Sequence, residues 1–119
     1  MKTLTKLFVA VAILFGGFIG SVHANQTDFL YNHDVFNAAS RVYMAMNEFT
    51  SNDLEEMGVD FGEPKELPGV KSPTDPKVKL RVADFEVFNP GYRTYARVRV
   101  LVDPTTNTVV GAEYLDLGR

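Results

Sequence analysis

The first 24 residues decide how much chain is left to fold. Lys2 and Lys6 give a basic start, Leu7 to Ile19 an apolar run, and Gly20, Ser21 and Val22-His23-Ala24 a small-residue ending. That order is the n-region, h-region and A-x-A-like cleavage pattern of a secretory signal peptide. The apolar run is shorter than the ~20 residues of an ordinary membrane span. No cysteine follows it, so there is no thiol to carry a lipid anchor. The expectation is a bacterial export product, periplasmic or secreted, cleaved near Ala24-Asn25 and without a stable membrane anchor afterwards.

Removing 24 of the 119 residues leaves 95, which are expected to form one small domain over 25–119. Small exported domains often lean on disulfides because their cores are small. With no cysteine, this one must hold by packing alone. The leader also takes two lysines and no acid. The remaining 10 basic and 15 acidic residues give a net charge of −5. A mildly acidic domain is a poor match for nucleic acid, whose phosphates favour a basic patch, and for anionic lipid.

After a polar lead-in with Phe29, Leu30 and Tyr31 as anchors, a long helix is expected. Asn32 is a natural N-cap, and Asp34 suits the positive end of the helix dipole. Val35, Ala39, Val42, Met46 and Phe49 recur at helical spacing, widened by Phe36 and Tyr43. No Pro or Gly interrupts residues 32–50. Ser51-Asn52-Asp53 can restart a short helical turn through Met57, with Gly58 ending it in the left-handed conformation. Gly62, Pro64, Pro68, Gly69, Pro73 and Pro76 then crowd the stretch 59–76. Such breaker density predicts a long loop, with room for a short edge strand around Val59 to Phe61.

The C-terminal third reads as sheet. Lys77 to Val82 alternates strictly; the apolar parity then passes to Ala83, Phe85 and Val87, which predicts a β-bulge near Val82 and Ala83. Asn89-Pro90-Gly91-Tyr92 is a turn signal, with Pro fixing φ and Gly supplying a positive φ. Tyr92 to Val102 and Thr108 to Leu117 follow as strands around the turn 103–107. Closing the first hairpin on Pro90-Gly91 sets Phe85 opposite Ala96 and Asp84 opposite Arg97. Closing the second over five residues sets Val98 opposite Ala112 and Arg97 opposite Glu113, with Val110, Ala112 and Tyr114 facing the helix. A one-residue slip would bury Glu113 beside Val98, which is costly for an unpaired carboxylate. The expected fold is α+β: one long N-terminal helix on a three- to four-stranded antiparallel sheet.

Chemistry-bearing patterns are few. His33 is the only histidine beyond the leader, and its neighbour Asp34 cannot face it on a helix, where spatial neighbours are three or four apart. No serine lies in a nucleophile-elbow pattern. Asp53, Glu55, Glu56, Asp60, Glu63 and Glu66 lack the spacing of an EF-hand loop and read as a solvated acidic surface. No catalytic residue, metal ligand or cofactor is assigned. Arg93, Tyr95, Arg97 and Arg99 alternate along the middle strand, beside Asp84, Glu86 and Glu113, so cross-strand charge pairing is the first reading. Phe88, Tyr95, Leu101, Val109, Leu115 and Leu117 are expected on that same solvent-side face. A mixed aromatic, Leu and Arg face is either covered by the loop 59–76 or open to a partner.

Two stretches resemble known families. The hairpin Val100 to Val110 looks like the strand–turn–strand of PepSY-type exported domains. Met46 to Asp53 and Val109-Val110-Gly111-Ala112 look like fragments of cystatin protease inhibitors. Both resemblances imply only a helix-on-sheet fold; PepSY-type domains often act as small inhibitory or accessory modules around secreted enzymes. The cystatin Gln-x-Val-x-Gly word is incomplete here, because Thr108 precedes Val109, so no inhibitory residue is carried over.

The expected function is a non-enzymatic protein-binding, accessory or inhibitor module. Its partner is another protein or a second copy. Its candidate binding residues are Phe88, Arg93, Tyr95, Arg97, Arg99, Leu101, Leu115 and Leu117, together with the long loop. The alternative is a small-ligand or minor enzymatic pocket between helix and sheet, with Tyr43, Tyr92, Tyr114 and His33 as its polar groups.

Overall fold

The computed structural model describes residues 11–13 and 26–119. The leader reading therefore falls mostly outside the described residues. The fold is α+β: two helices, α1 (His33–Asn47) and α2 (Ser51–Met57), and an antiparallel sheet. Four strands build that sheet: β2 (Lys65–Lys71), β3 (Lys79–Asn89), β4 (Thr94–Asp103) and β5 (Thr108–Gly118). A three-residue strand, β1 (Val11–Ile13), pairs with the outer edge of β5, so the order is β1-β5-β4-β3-β2.

A six-residue 3₁₀ turn, Gln26–Tyr31, leads into α1 and buries Phe29. The Asn32 side chain caps α1 by accepting from the Asp34 N–H at 2.8 Å. The helix buries Val35, Ala38, Ala39, Val42 and Tyr43, while Phe36 and Met46 at the stripe's edges stay largely exposed. The helix expected over 32–50 ends early, at Asn47, and the short restart expected from Ser51 through Met57 forms as α2. Glu48 takes the left-handed conformation (φ 59°), and Thr50 begins α2 with a capping box to Asp53. Each box partner satisfies a backbone N–H that a continuous helix would not leave free. Gly58 (φ 68°) ends α2.

The inner face of the sheet packs on α1. Ala83, Phe85 and Val87 of β3, Ala96, Val98, Val100 and Val102 of β4, and Val109, Ala112 and Tyr114 of β5 form one core with the helix residues and Phe61. The expected bulge at Val82 and Ala83 is absent, since β3 and β4 pair without interruption from Arg81↔Val102 to Asn89↔Thr94. The change of apolar parity has another cause. Leu80 and Val82 lie on the outer face, where they bury with Leu101 in a second cluster flanked by Leu67, Val78 and Val110. The strand is buried on both faces at different points along its length.

The stretch 59–76 is not all loop. Asp60 bridges Phe88 through two backbone hydrogen bonds, and Lys65–Lys71 forms the edge strand β2. Pro68-Gly69 falls at the register shift between Leu67 and Val70. An edge strand tolerates a missing N–H at a bulge. Gly69 is required there, because a Cβ would come within 2.8 Å of the Leu80 carbonyl oxygen.

Both hairpins close differently from the sequence expectation. Residues 90–93 turn the first, and the residue at positive φ is Arg93 (57°) rather than Gly91. The Asn89 side-chain oxygen accepts from the Tyr92 N–H at 3.1 Å and stabilises this wider turn. Gly91 serves a close approach instead, as a Cβ there would crowd Met57 at 3.1 Å. The register thus moves by two residues, giving Phe85↔Val98 and Asp84↔Arg99. An even shift keeps every side chain on its expected face.

The second turn holds four residues, between Asp103 and Thr108, with Asn107 at φ 56°. Alone, that turn would set Glu113 opposite Val98, the costly register. A bulge between Leu101 and Val102 on β4 and their partners Gly111 and Val109 leaves Val110 as the extra residue. Beyond it Val98 pairs with Tyr114 and Arg99 with Glu113. Val109 and Val110 consequently exchange faces relative to expectation. Val109 joins the inner core, and Val110 packs against the outer cluster.

Candidate functional site

The outer face has three zones, set by register. Opposed residues on antiparallel strands share a face, so Val82 and Leu101, Asp84 and Arg99, Glu86 and Arg97, and Phe88 and Tyr95 lie on one surface. On β5, Gly111, Glu113 and Leu115 continue it opposite Leu101, Arg99 and Arg97.

The zone at one end is the small apolar cluster. Leu101 is only 8 % exposed and packs with Leu80 and Val82, so it supports the face without offering itself to a partner. The zone at the centre is ionic. Asp84 is buried, and its carboxylate accepts from Arg97 Nη1 at 2.9 Å and from Arg99 Nε at 3.4 Å. The sequence pattern centres this network on Arg97, between Asp84 and Glu113. The structure places Arg99 in that register position, and Arg97 reaches Asp84 diagonally. The cause is the two-residue shift of both hairpins. The arginine side chains remain about a third exposed, 31 % and 38 %, so their charge still reaches solvent.

The zone at the other end is aromatic. The Phe88 and Tyr95 rings lie 4.8 Å apart between centroids at an interplanar angle of 33°. Tyr95 is exposed, Phe88 and Leu115 are half-buried, and Leu117 is exposed at a second bulge, where Tyr95 pairs with Gly118 and Ala96 with Asp116. Arg93 stands apart in the hairpin turn and is exposed. Part of the stretch 59–76, as β2, joins the sheet edgewise; its Leu67 packs at the apolar zone, and the aromatic zone stays open.

The residues of the pocket alternative do not converge. Tyr43 and Tyr114 are buried and packed together, with ring centroids 6.2 Å apart. Asn47 Nδ2 donates to the Tyr114 hydroxyl at 3.2 Å and to the Tyr43 carbonyl at 2.9 Å. Burial pushes both phenols above their ordinary range; hydrogen bonds from Asn89 to Tyr43 and from Asn47 to Tyr114 offset part of that, and the nearby Asp116 charge adds to it. Both phenols therefore stay neutral hydrogen-bonding groups of the core at ordinary pH. His33 is exposed at the start of α1, and Tyr92 is exposed over Phe49. Among the described residues, no three His, Asp or Glu side chains come together as a metal would need, and no helix is long and apolar enough to cross a membrane.

Compared with protein-family models, with curated proteins and with solved structures, the chain matches none.

Proposed function

We propose that the chain is exported and that its processed form is a non-enzymatic binding module, an inhibitor or accessory subunit, that meets another protein through the outer sheet face. One observation carries this reading: Tyr95, Arg97, Arg99 and Leu117 form an exposed strip beside Phe88 and Leu115, on strands held rigid from behind by the core. Aromatic and arginine side chains are the residue types that dominate protein-interface energetics. They lose little on binding here, because Arg97 and Arg99 are already oriented by Asp84 and Tyr95 by Phe88.

Two measurements test it. Intact mass of the product recovered outside the cytoplasm should match residues 25–119. Retention of the first 24 residues would refute the export part. Light scattering and affinity capture on the processed chain should give a partner, foreign or a second copy, that is lost in Tyr95→Glu and in Arg97→Glu while circular dichroism is unchanged. A monomer whose captured proteins are indifferent to both substitutions would refute the binding face.

A further inference from the structure

The two edges of the sheet are built differently. An edge strand displays unpaired N–H and C=O groups and recruits other strands unless something blunts it. β2 is blunted in three ways: Pro68 lacks an N–H, Pro68-Gly69 breaks the register, and Lys65 and Lys71 stand at its ends. β5, over Thr108–Gly118, has no proline and no lysine. Between its bulges at Val110 and Leu117 it keeps a regular stretch, 111–116. Among the described residues, the strand that covers this stretch is β1, with Val11↔Tyr114, Ala12↔Glu113 and Ile13↔Ala112. β1 lies inside the expected leader.

We infer that the β5 edge is a strand-docking site, vacated when the leader is removed and then filled by an extended segment of another protein added antiparallel at Ala112–Tyr114. The inference rests on the export reading and is independent of the outer-face reading. The register defines the ligand. Positions opposite Ala112 and Tyr114 continue the inner, helix-side face, to which both of those residues belong, and take β-branched apolar residues. The position between them lies opposite Glu113 and takes a basic residue. β5 carries Glu113 and Asp116 and no basic side chain, so a cationic segment is complementary. A second copy would bring two acidic strands together.

The test uses residues 25–119, which contain every described core residue, from Phe29 to Tyr114. The probe is the peptide Lys-Thr-Val-Lys-Ile-Thr-Lys, followed by amide NMR and hydrogen exchange. Saturating peptide should shift amides within 111–116 and slow exchange of those pointing outward by about tenfold or more. A version N-methylated at alternate residues should bind at least about tenfold more weakly, having lost backbone donors. A version with Asp at the centre should also weaken. No shift at millimolar peptide, or shifts confined to β2 or to the arginine face, would overturn the inference. Concentration-dependent protection of 111–116 without peptide would overturn the foreign partner in favour of a second copy. A leader retained on the exported protein would overturn the export reading and with it the vacancy. A processed chain that refuses the peptide would overturn the edge alone.

Discussion

The two faces of this sheet are made by alternate residues of the same strands, yet they are built on different principles. The inner face is continuous: Ala83, Phe85, Val87, Ala96, Val98, Val100 and Val102 meet α1 without a charged interruption. The outer face is segmented into an apolar end, a buried carboxylate held by two arginines, and an open aromatic pair. A face that only has to bury itself can be uniform. A face that keeps a charge pair in its middle and rings at its rim leaves side chains available to something else. That asymmetry, more than any single residue, motivates the binding reading.

The largest test of the comparison attacks the device that keeps the faces separate. Inserting one residue between Ala112 and Glu113 should turn the rest of β5 over, because the bulge at Val110 already takes up the one residue the short turn leaves in excess. Glu113 would then face Val98 in the core, and Tyr114 would leave it. An uncompensated buried charge costs about 3–5 kcal/mol, a large share of what a small domain has. Chemical denaturation should show the variant largely unfolded. Deleting Val110 should instead leave Leu101↔Gly111 and Arg99↔Glu113 in place, remove only the bulge and one half-buried apolar contact, and cost far less. If the insertion were tolerated as well as the deletion, the register argument would fail.

Next in size is a matched pair of ring removals. Phe85→Ala on the inner face should cost about 3–5 kcal/mol, the usual range for a fully buried aromatic. Phe88→Ala on the outer face, where the ring is half-buried against Tyr95, should cost about 1 kcal/mol. Urea melts of the two variants measure the contrast. Equal losses would mean that the outer aromatic zone belongs to the core and is not a surface.

Which parts of this were legible in the sequence follows from what each part depends on. The Asn32 cap, the Gly58 stop and the strand positions rest on local chemistry, and the structure has them where the pattern put them. The partition of Phe88, Tyr95, Arg97, Arg99 and Leu101 onto one face rests on period-two alternation, which survives any even error in register. Pairing itself was missed by two residues, because it depends on turn size. Asn89 widens one turn through a side-chain hydrogen bond, and the other is four residues long with a compensating bulge. β2 was hidden because Pro68 and Gly69 argue against a strand unless the strand is known to be an edge. The burial of Leu101 was hidden because Leu67 and Val78, distant in sequence from it, complete its cluster.

The central ion network gives the third test. Asp84 is buried, while Arg97 and Arg99 reach solvent. Removing the acid leaves two cations that can hydrate, so Asp84→Ala should cost about 1–2 kcal/mol. Removing both cations strands a buried carboxylate, so Arg97→Ala with Arg99→Ala should cost more, about 2–4 kcal/mol. Denaturant midpoints for the three chains decide it. The reverse order would mean that Asp84 is hydrated in the folded domain and the network is superficial.

The smallest effect belongs to the ion pair at the rim of the inner face. Arg81 sits opposite Val102, with its guanidinium 4.2 Å above the Phe29 ring, and donates to both oxygens of Glu66 at 2.8 and 2.7 Å. The hydrogen bonds from Arg81, helped by its charge and partly offset by desolvation, hold the Glu66 carboxyl below its ordinary range. The depressed pKa fixes the sign: the pair's contribution is complete above the unfolded carboxyl's pKa and disappears as the pH falls through the folded one. The Glu66 side chain is 39 % exposed, and solvent screening keeps the contribution under about 1 kcal/mol. Glu66→Gln should therefore be slightly less stable than the native chain at neutral pH, by a margin that shrinks in acid and in high salt. Asp84→Ala should keep most of its deficit in high salt, because a buried pair is screened much less than an exposed one. Equal salt sensitivity in the two variants would erase the distinction between a rim pair and a buried one. The outer face would then owe its orientation to packing rather than to charge.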